Sequence, residues 1–384
     1  MAASKPELDE GALSAADIET QAYVVDHVAA PFTLRDILLD ARPRAHEVLV
    51  EWKFSGICHT DLIVRDGMFP ILAFPAILGH EGAGYIRALG AGVQHARPEL
   101  GIGDFVLATF NSCGACKQCK RSHPAFCHRG GVLHMGATRP EDGSSPARLK
   151  DDGRSVRSQF YGQSTFAKMS MVQASAVAMK YPYDPAEAWK FAACGCGFQT
   201  GAGTVLNVLR PQRDDVVVVV GLGGVGLTAV MAAKFLGVET VVAVDIDAGR
   251  LELARELGAT SVVDSRATPD LVAEVMRITG GEGADSSIDC VGQDSYFGAR
   301  GSRLRMFAGN HTILEDLVKC LAKCGTVASV GVMAPGKSVV LDPRAHLGNN
   351  KRYIGVLEGD SNPPEASRDH EVFPKAADPL TCRL

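Results

Sequence analysis

Two kinds of hydrophobic patterning divide the chain. Residues 216–220 are five consecutive valines with no polar alternation, the pattern of a strand covered on both faces. They lead through Gly221-x-Gly223-Gly224-x-Gly226 into an apolar helical stretch ending at Gly237. Strand patterns recur at 240–244, 261–263, 286–291, 326–332 and 353–357, and helical patterns separate them at 249–257, 269–278 and 312–321. Alternation of this kind predicts an α/β fold with a doubly wound parallel sheet. The first half reads differently. Short strands at 47–53, 82–89 and 104–108 lie among glycines and prolines, which predicts a β-rich domain with irregular loops. Residues 216–233 run for 18 positions without a charge, the lower limit of a membrane span. Four glycines at the centre of that run, with Asp215 and Lys234 at its ends, make it strand, turn and helix instead.

The length of 384 residues suits two domains, each with its own core. Lys and Arg number 39 against 44 Asp and Glu, a net charge of −5, so no basic surface is predicted for nucleic acid or anionic lipid. The N-terminal segment lacks the basic and apolar regions of a secretory signal, and the expected location is cytoplasmic.

Eleven cysteines in such a chain are read for metal or catalysis rather than disulfides. Cys113, Cys116, Cys119 and Cys127 are bunched in CGACKQCKRSHPAFC. Two-residue gaps let consecutive thiolates turn inward, and the last returns to close a tetrahedron, as in a structural zinc site; an iron–sulfur cluster is the alternative. A scattered set is Cys58 in SGICHTD, His80 with Glu81 in GHEGAG, and Cys196 in GCGFQTG. Two thiolates, one imidazole and an exchangeable fourth ligand are what a catalytic zinc uses, although spacing alone does not join these residues. Singly, Cys58 and Cys196 read equally as small buried hydrophobes. Cys194, Cys290, Cys320, Cys324 and Cys382 keep that reading.

The glycine motif follows a strand, opens a helix and precedes a second strand ending in Asp245 about 20 residues on, the context of a dinucleotide site. Gly221 permits the turn, Gly223 lets backbone N–H groups reach a pyrophosphate, and Gly226 lets helix approach strand. Asp245 is predicted to accept from the adenosine ribose hydroxyls and to repel a 2′-phosphate, favouring NAD over NADP.

Together, GHEGAG, the four-cysteine lobe, GCGFQTG and GLGGVG resemble, in order and spacing, the zinc-dependent alcohol dehydrogenases of the medium-chain dehydrogenase/reductase superfamily, over about residues 20–360. The resemblance implies a GroES-like β-barrel catalytic domain at 1–198 with the structural zinc lobe at 113–127, and a Rossmann NAD-binding domain at 199–340. The last Rossmann strand and a shortened return to the catalytic domain would occupy 341–384. It implies two Zn2+ per chain, with Cys58, His80 and Cys196 as catalytic ligands and Glu81 as a transient or outer one. Asp61 matches the acid that orients the ligand histidine. Thr60 matches the hydroxyl that passes the substrate proton outward, His59 a pyrophosphate-contacting position, Thr200 a residue packed on the nicotinamide, and Arg250 a basic residue near the adenosine ribose. A homodimer or homotetramer is implied, pairing through the strand at 353–357.

Residues 139–171 are most similar to the benzyl or aryl-alcohol branch and its fungal relatives in aromatic and polyketide metabolism. Ile63 stands where liver-type enzymes place the histidine that ends the proton relay, so the expected exit is from Thr60 through the ribose to solvent or His59. Two departures stand out: an apparent insertion at 296–310, and a C-terminal segment, 369–384, that lacks the family's returning helix and strands. The expected activity is interconversion of a primary aromatic or allylic alcohol and its aldehyde. The alternatives are a glutathione-dependent formaldehyde dehydrogenase, and an inactive NAD- and zinc-binding homologue suggested by the chain end.

Overall fold

The computed structural model describes residues 17–40, 42–268, 270–292, 312–333 and 338–363. The stretches 296–310 and 369–384 singled out above, Cys382 and the first 16 residues lie outside them. The chain divides into two compact units, one running to Cys196 and the other spanning Gly197–Ser361.

The first unit is built of two five-stranded antiparallel sheets. Its strands are β1 (Asp17–Val25), β2 (Thr33–Asp40), β3 (Glu47–Ser55), β4 (Ala76–Ile77), β5 (Gly82–Leu89), β6 (Phe105–Ala108), β7 (Ala147–Leu149), β8 (Ser155–Val156), β9 (Met169–Gln173) and β10 (Val177–Lys180). One sheet has the order β4-β1-β2-β7-β8 and the other β10-β6-β5-β3-β9. The period-2 alternation of β3 feeds two cores. Val48 and Val50 pack with Ile86, Val106 and Val172, while Leu49 packs with Ile37, Leu39, Ile77 and Met171. A strand buried on both faces anchors the unit, and the metal-ligand candidates hang from loops that leave these sheets.

The second unit holds a six-stranded parallel sheet. Its strands are β11 (Val216–Val220), β12 (Thr240–Asp245), β13 (Ser261–Asp264), β14 (Ala284–Asp289), β15 (Leu321–Ser329) and β16 (Arg352–Gly355), in the order β13-β12-β11-β14-β15-β16. The valine run explains the two-sided cover. Val217 and Val219 face Leu227, Val230 and Leu251, whereas Val218 and Val220 face Leu271, Val275, Leu314 and Leu317. Burying each such valine contributes about 1.5–3 kcal/mol relative to leaving it exposed. Strand order reverses at β11, flanked by β12 and β14, and the glycine motif leaves its carboxyl end at this switch point.

Several element boundaries differ from the sequence pattern, among them the following. The strand expected at 326–332 starts at Leu321 and ends at Ser329; Lys323, Cys324 and Gly325 interrupt its apolar pattern, and Cys324 takes φ +66°. The helix expected at 269–278 starts at Leu271, because Asp270 caps it by accepting from Ala273 N at 2.9 Å. The edge strand expected at 353–357 is Arg352–Gly355, paired on one side. Among the described residues no helix is long and apolar enough to cross a membrane.

Candidate metal and nucleotide sites

Cys58 caps the helix His59–Arg65. Its Sγ lies 3.5 Å from Thr60 N, while the Asp61 carboxylate accepts from Cys58 N at 3.0 Å, closing a reciprocal cap. Asp61 is fully buried, and its other oxygen accepts from Gly79 N and from His80 Nδ1, each at 3.0 Å. One carboxylate thus ties the Cys58 loop to the His80 loop and holds the imidazole with its proton on Nδ1. His80 Nε2 is buried and has no hydrogen-bond partner in the structure. An orphaned buried nitrogen costs free energy unless something accepts its lone pair.

Cys196 follows the helical segment Pro185–Gly195. Gly195 lies so close to β6 that a Cβ there would stand 1.7 Å from the Ala108 carbonyl oxygen. Thr109 Oγ1 donates to Gly195 O at 3.1 Å. The buried Gln163 amide donates to both His80 O (2.9 Å) and Thr109 O (2.7 Å), joining the two ligand loops through one side chain. The result is a cluster in which ligand atoms of Cys58, His80, Glu81 and Cys196 all lie within 4.8 Å of one another, three of the four residues being buried. The two sulfurs are 4.0 Å apart.

Electrostatics in the cluster point one way. The Cys58 thiol is driven down to about 3, first by the Cys196 sulfur and then, against burial, by His80 and the Thr60 hydroxyl. Burial disfavours charge on His80, yet the Asp61 carboxylate and Cys58 hold its pKa well above the ordinary value. With no metal a proton on His80 balances the Cys58 thiolate, and two soft sulfurs, an imidazole nitrogen and a carboxylate form a donor set that zinc accepts in that proton's place.

The lobe at 113–127 forms the second cluster, with Cys113, Cys116, Cys119 and Cys127 sulfurs all within 4.8 Å of one another. Cys113 and Cys116 stand 3.9 and 3.5 Å from Cys119. A tetrahedron with metal–sulfur bonds of ~2.3 Å has sulfur–sulfur edges of ~3.8 Å, so the lobe fits a closed four-thiolate site. Backbone N–H groups pull Cys116 down to about 6, while burial and neighbouring sulfurs push Cys119 up to about 12; four crowded thiols do not all ionise without a cation among them.

In the second unit the helix Gly224–Phe235 starts at the glycine motif. Gly221 takes φ +90°, and a Cβ on Gly226 would stand 1.8 Å from Gly221 O, so the turn and the helix–strand approach both require glycine. At Gly223 nothing lies within 4 Å of where a Cβ would be. Asp245 ends β12 and is buried, accepting from Leu222 N (2.7 Å), Ile246 N (2.7 Å) and Asp247 N (2.9 Å). Arg250 is half exposed, its guanidinium 3.8 Å from Asp245 Oδ2. Thr200 Oγ1 lies 3.5 Å from the buried Glu358 carboxylate, which also accepts from Gln199 Nε2 at 3.1 Å. His59 is exposed, Thr60 is half-buried with Oγ1 3.5 Å from Cys58 Sγ, and Ile63 is buried.

The sequence reading missed Gln163, Glu358, Tyr161 and His134. Tyr161 stacks on the His80 ring (centroids 4.5 Å, 21°), and His134 stacks on the far face of Tyr161 (4.5 Å, 10°). Burial pushes His134 down to about 4, so it is neutral near pH 7. Nothing in their sequence spacing marks these rings as neighbours.

Residues 44–181 match the alcohol dehydrogenase GroES-like domain family, and residues 224–300 match the zinc-binding dehydrogenase family. With the two-sheet unit and the parallel sheet in place, the chain belongs to the zinc-dependent alcohol dehydrogenases of the medium-chain dehydrogenase/reductase superfamily. It is 35% identical to the geraniol dehydrogenase of Castellaniella defragrans over 90% of this chain and 85% of that protein. The benzyl alcohol dehydrogenase of Acinetobacter calcoaceticus has a similar structure, with TM-score 0.81 and 32% identity, covering 94% of this chain and 91% of that one. The structure of an alcohol dehydrogenase zinc-binding domain protein from Burkholderia ambifaria gives TM-score 0.82 and 33% identity, with 95% and 91% covered. The fold expected from the resemblance is the fold found, and the chain is an alcohol dehydrogenase.

Proposed function

We propose that this enzyme interconverts a primary allylic or aromatic alcohol and its aldehyde, with zinc held by Cys58, His80 and Cys196, a second zinc held by the four-cysteine lobe, and NAD as hydride acceptor. The observation that carries the reading is the buried, partnerless His80 Nε2 within 4.8 Å of two sulfurs and a carboxylate. A metal bound there supplies Lewis acidity that lowers the pKa of an alcohol, and the nicotinamide supplies the hydride acceptor.

The chain's own residues do the rest. Asp61 keeps the proton of His80 on Nδ1, leaving Nε2 as donor atom. Glu81 is the fourth, exchangeable group. The Thr60 hydroxyl takes the substrate proton, and buried, apolar Ile63 offers no next acceptor on the helix, so the proton leaves by way of the exposed His59. Three backbone N–H groups fix Asp245 at the end of β12, where the remaining acceptor site on Oδ2 suits a ribose hydroxyl and its charge opposes a 2′-phosphate. The open side of Gly223 leaves the backbone approachable by a pyrophosphate. Arg250 beside Asp245 and Thr200 near Glu358 are the further cofactor contacts proposed.

The substrate class rests on similarity to the geraniol and benzyl alcohol dehydrogenases. Steady-state kinetics with geraniol, benzyl alcohol and S-hydroxymethylglutathione, each with NAD and NADP, test it. The expected result is kcat/KM roughly tenfold or more higher with NAD, and with the first two alcohols ahead of the third. A rate with S-hydroxymethylglutathione far above the others, or a preference for NADP, overturns the assignment.

A further inference from the structure

A metal ligand must be held within roughly 0.5 Å and 10–20° of its working geometry, so whatever fixes the His80 ring matters as much as its donor atom. Asp61 fixes its edge, and Phe160 meets it at 81° with centroids 5.5 Å apart. Its face is covered by Tyr161, which takes φ +54°, ψ +21° to do so. A bulky residue in the left-handed region is a genuine outlier, and such strain persists only where the surroundings over-determine it. The next residue is pinned as well, since a Cβ on Gly162 would stand 2.9 Å from Asn111 Cβ.

The far face of Tyr161 rests on His134, and His134 directly follows the four-cysteine lobe. It lies in the short helix Gly130–Met135, which Gly130 N ties to Cys127 O at 2.8 Å. Its Nε2 donates to Asn111 O at 2.7 Å, two residues before Cys113. Both flanks of the lobe therefore anchor one imidazole, and that imidazole backs the ring that backs His80. The stack is near parallel throughout, at 21° and 10°. An aromatic pair gains from stacking beyond its area burial, but the larger consequence here is geometric, because a stack with both ends anchored leaves the middle ring nowhere to tilt.

We propose that His134 is a positioning residue for His80, acting through the Tyr161 ring, so that the four-cysteine lobe sets the geometry of the Cys58–His80–Glu81–Cys196 cluster. The inference rests on the reading of that cluster as a metal site.

Metal retention tests it. The protein is loaded with Co2+ and titrated with EDTA, while cobalt per chain and the visible cobalt spectrum are followed; the component removed by Cys196→Ala belongs to the Cys58 cluster. His134→Gln keeps a donor toward Asn111 and loses the ring. It is expected to release the Cys58-cluster cobalt at roughly tenfold lower EDTA, with a shifted spectrum, while the lobe cobalt stays. His134→Phe keeps a ring and loses the donor, and retention is expected to return toward wild type. If His134→Gln fails to fold, Tyr161→Leu and Tyr161→Phe repeat the comparison, the phenyl ring retaining cobalt and the leucine losing it. Unchanged retention and spectrum in His134→Gln or in Tyr161→Leu, with wild-type protein loaded at both clusters, overturns the proposal. Wild-type protein that takes cobalt only in the lobe overturns the metal-site reading itself.

Discussion

Replacing Gly195 by alanine should empty one metal cluster and spare the other. The new Cβ would stand 1.7 Å from Ala108 O, 2.7 Å from Ala108 C and 3.0 Å from Thr109 Cα, all of them backbone atoms. Relief requires the first distance to open to at least 3.0 Å. β6 is poorly able to yield: Ala108 pairs with Val177, Thr109 N donates to Ala176 O at 2.8 Å, and Gln163 holds Thr109 O. The displacement therefore falls on residues 195 and 196. Metal–ligand distances tolerate about 0.2 Å, so moving Cys196 by roughly 1 Å from a sulfur pair now near the tetrahedral edge breaks the site. Overpacking costs about 1–3 kcal/mol, enough to lower the melting temperature but not to unfold the chain. Elemental analysis is expected to fall from about two zinc per chain to about one, with the remainder lost on Cys113→Ala and turnover lost with the first. Gly131 is the control: it sits in a helix with nothing within 4 Å of its Cβ position, so Gly131→Ala should keep both metals and, at most, gain about 1 kcal/mol. A Gly195→Ala protein with about two zinc and unchanged kcat/KM would refute the argument.

Arg139 is buried against Glu47 (2.8 and 3.0 Å) and Asp40 (2.6 Å); Arg139→Ala leaves the Glu47 carboxylate buried with its cation gone and should cost about 3–5 kcal/mol in urea unfolding, whereas a loss below ~1 kcal/mol would contradict the reading. Burial raises Asp289 to about 6 from 3.8, so the folded state binds the proton more tightly, and this group's stabilisation is full below about pH 4 and lost as pH rises through 6. Asn keeps the acceptor for Val291 N and Gly292 N, so Asp289→Asn should match wild type near pH 4 and exceed it above pH 6 by on the order of 3 kcal/mol; a pH-independent difference would count against it. His59→Gln should alter the pH profile of kcat without removing zinc, and an unchanged profile rules out His59 as the proton exit.

The parallel sheet was legible because burial on both faces writes itself as uninterrupted valine at 216–220, and because glycine is obligatory where Gly226 meets Gly221 O. The start of β15 was not. Lys323, Cys324 and Gly325 face outward or bend there, and the pairing with β14 slips between Ala284 and Ser286, so only the regular part from Thr326 carries a strand signature. Much of the first unit was equally faint. Strands such as β7 and β8 are three and two residues long, too short for a period to appear, and β7 pairs with β2, far away in sequence.

The two metal clusters differ in legibility for the same reason. The lobe's four cysteines fall within fifteen residues, so spacing alone brings their sulfurs together. Cys58, His80 and Cys196 are joined by groups with no shared spacing: Asp61 across the helix cap, Gln163 between two carbonyls, and Gly195 pressed on β6. Only resemblance to a family linked them beforehand. His134 lay beyond both routes, because a histidine on a six-residue helix has no periodicity to betray it, and its partner ring approaches from a strained loop. That concealment follows from what the residue does. A local ligand cluster is specified by the order of a few neighbouring side chains, whereas the fixing of a ligand ring is specified by packing across the unit, and packing partners leave no common pattern in the chain.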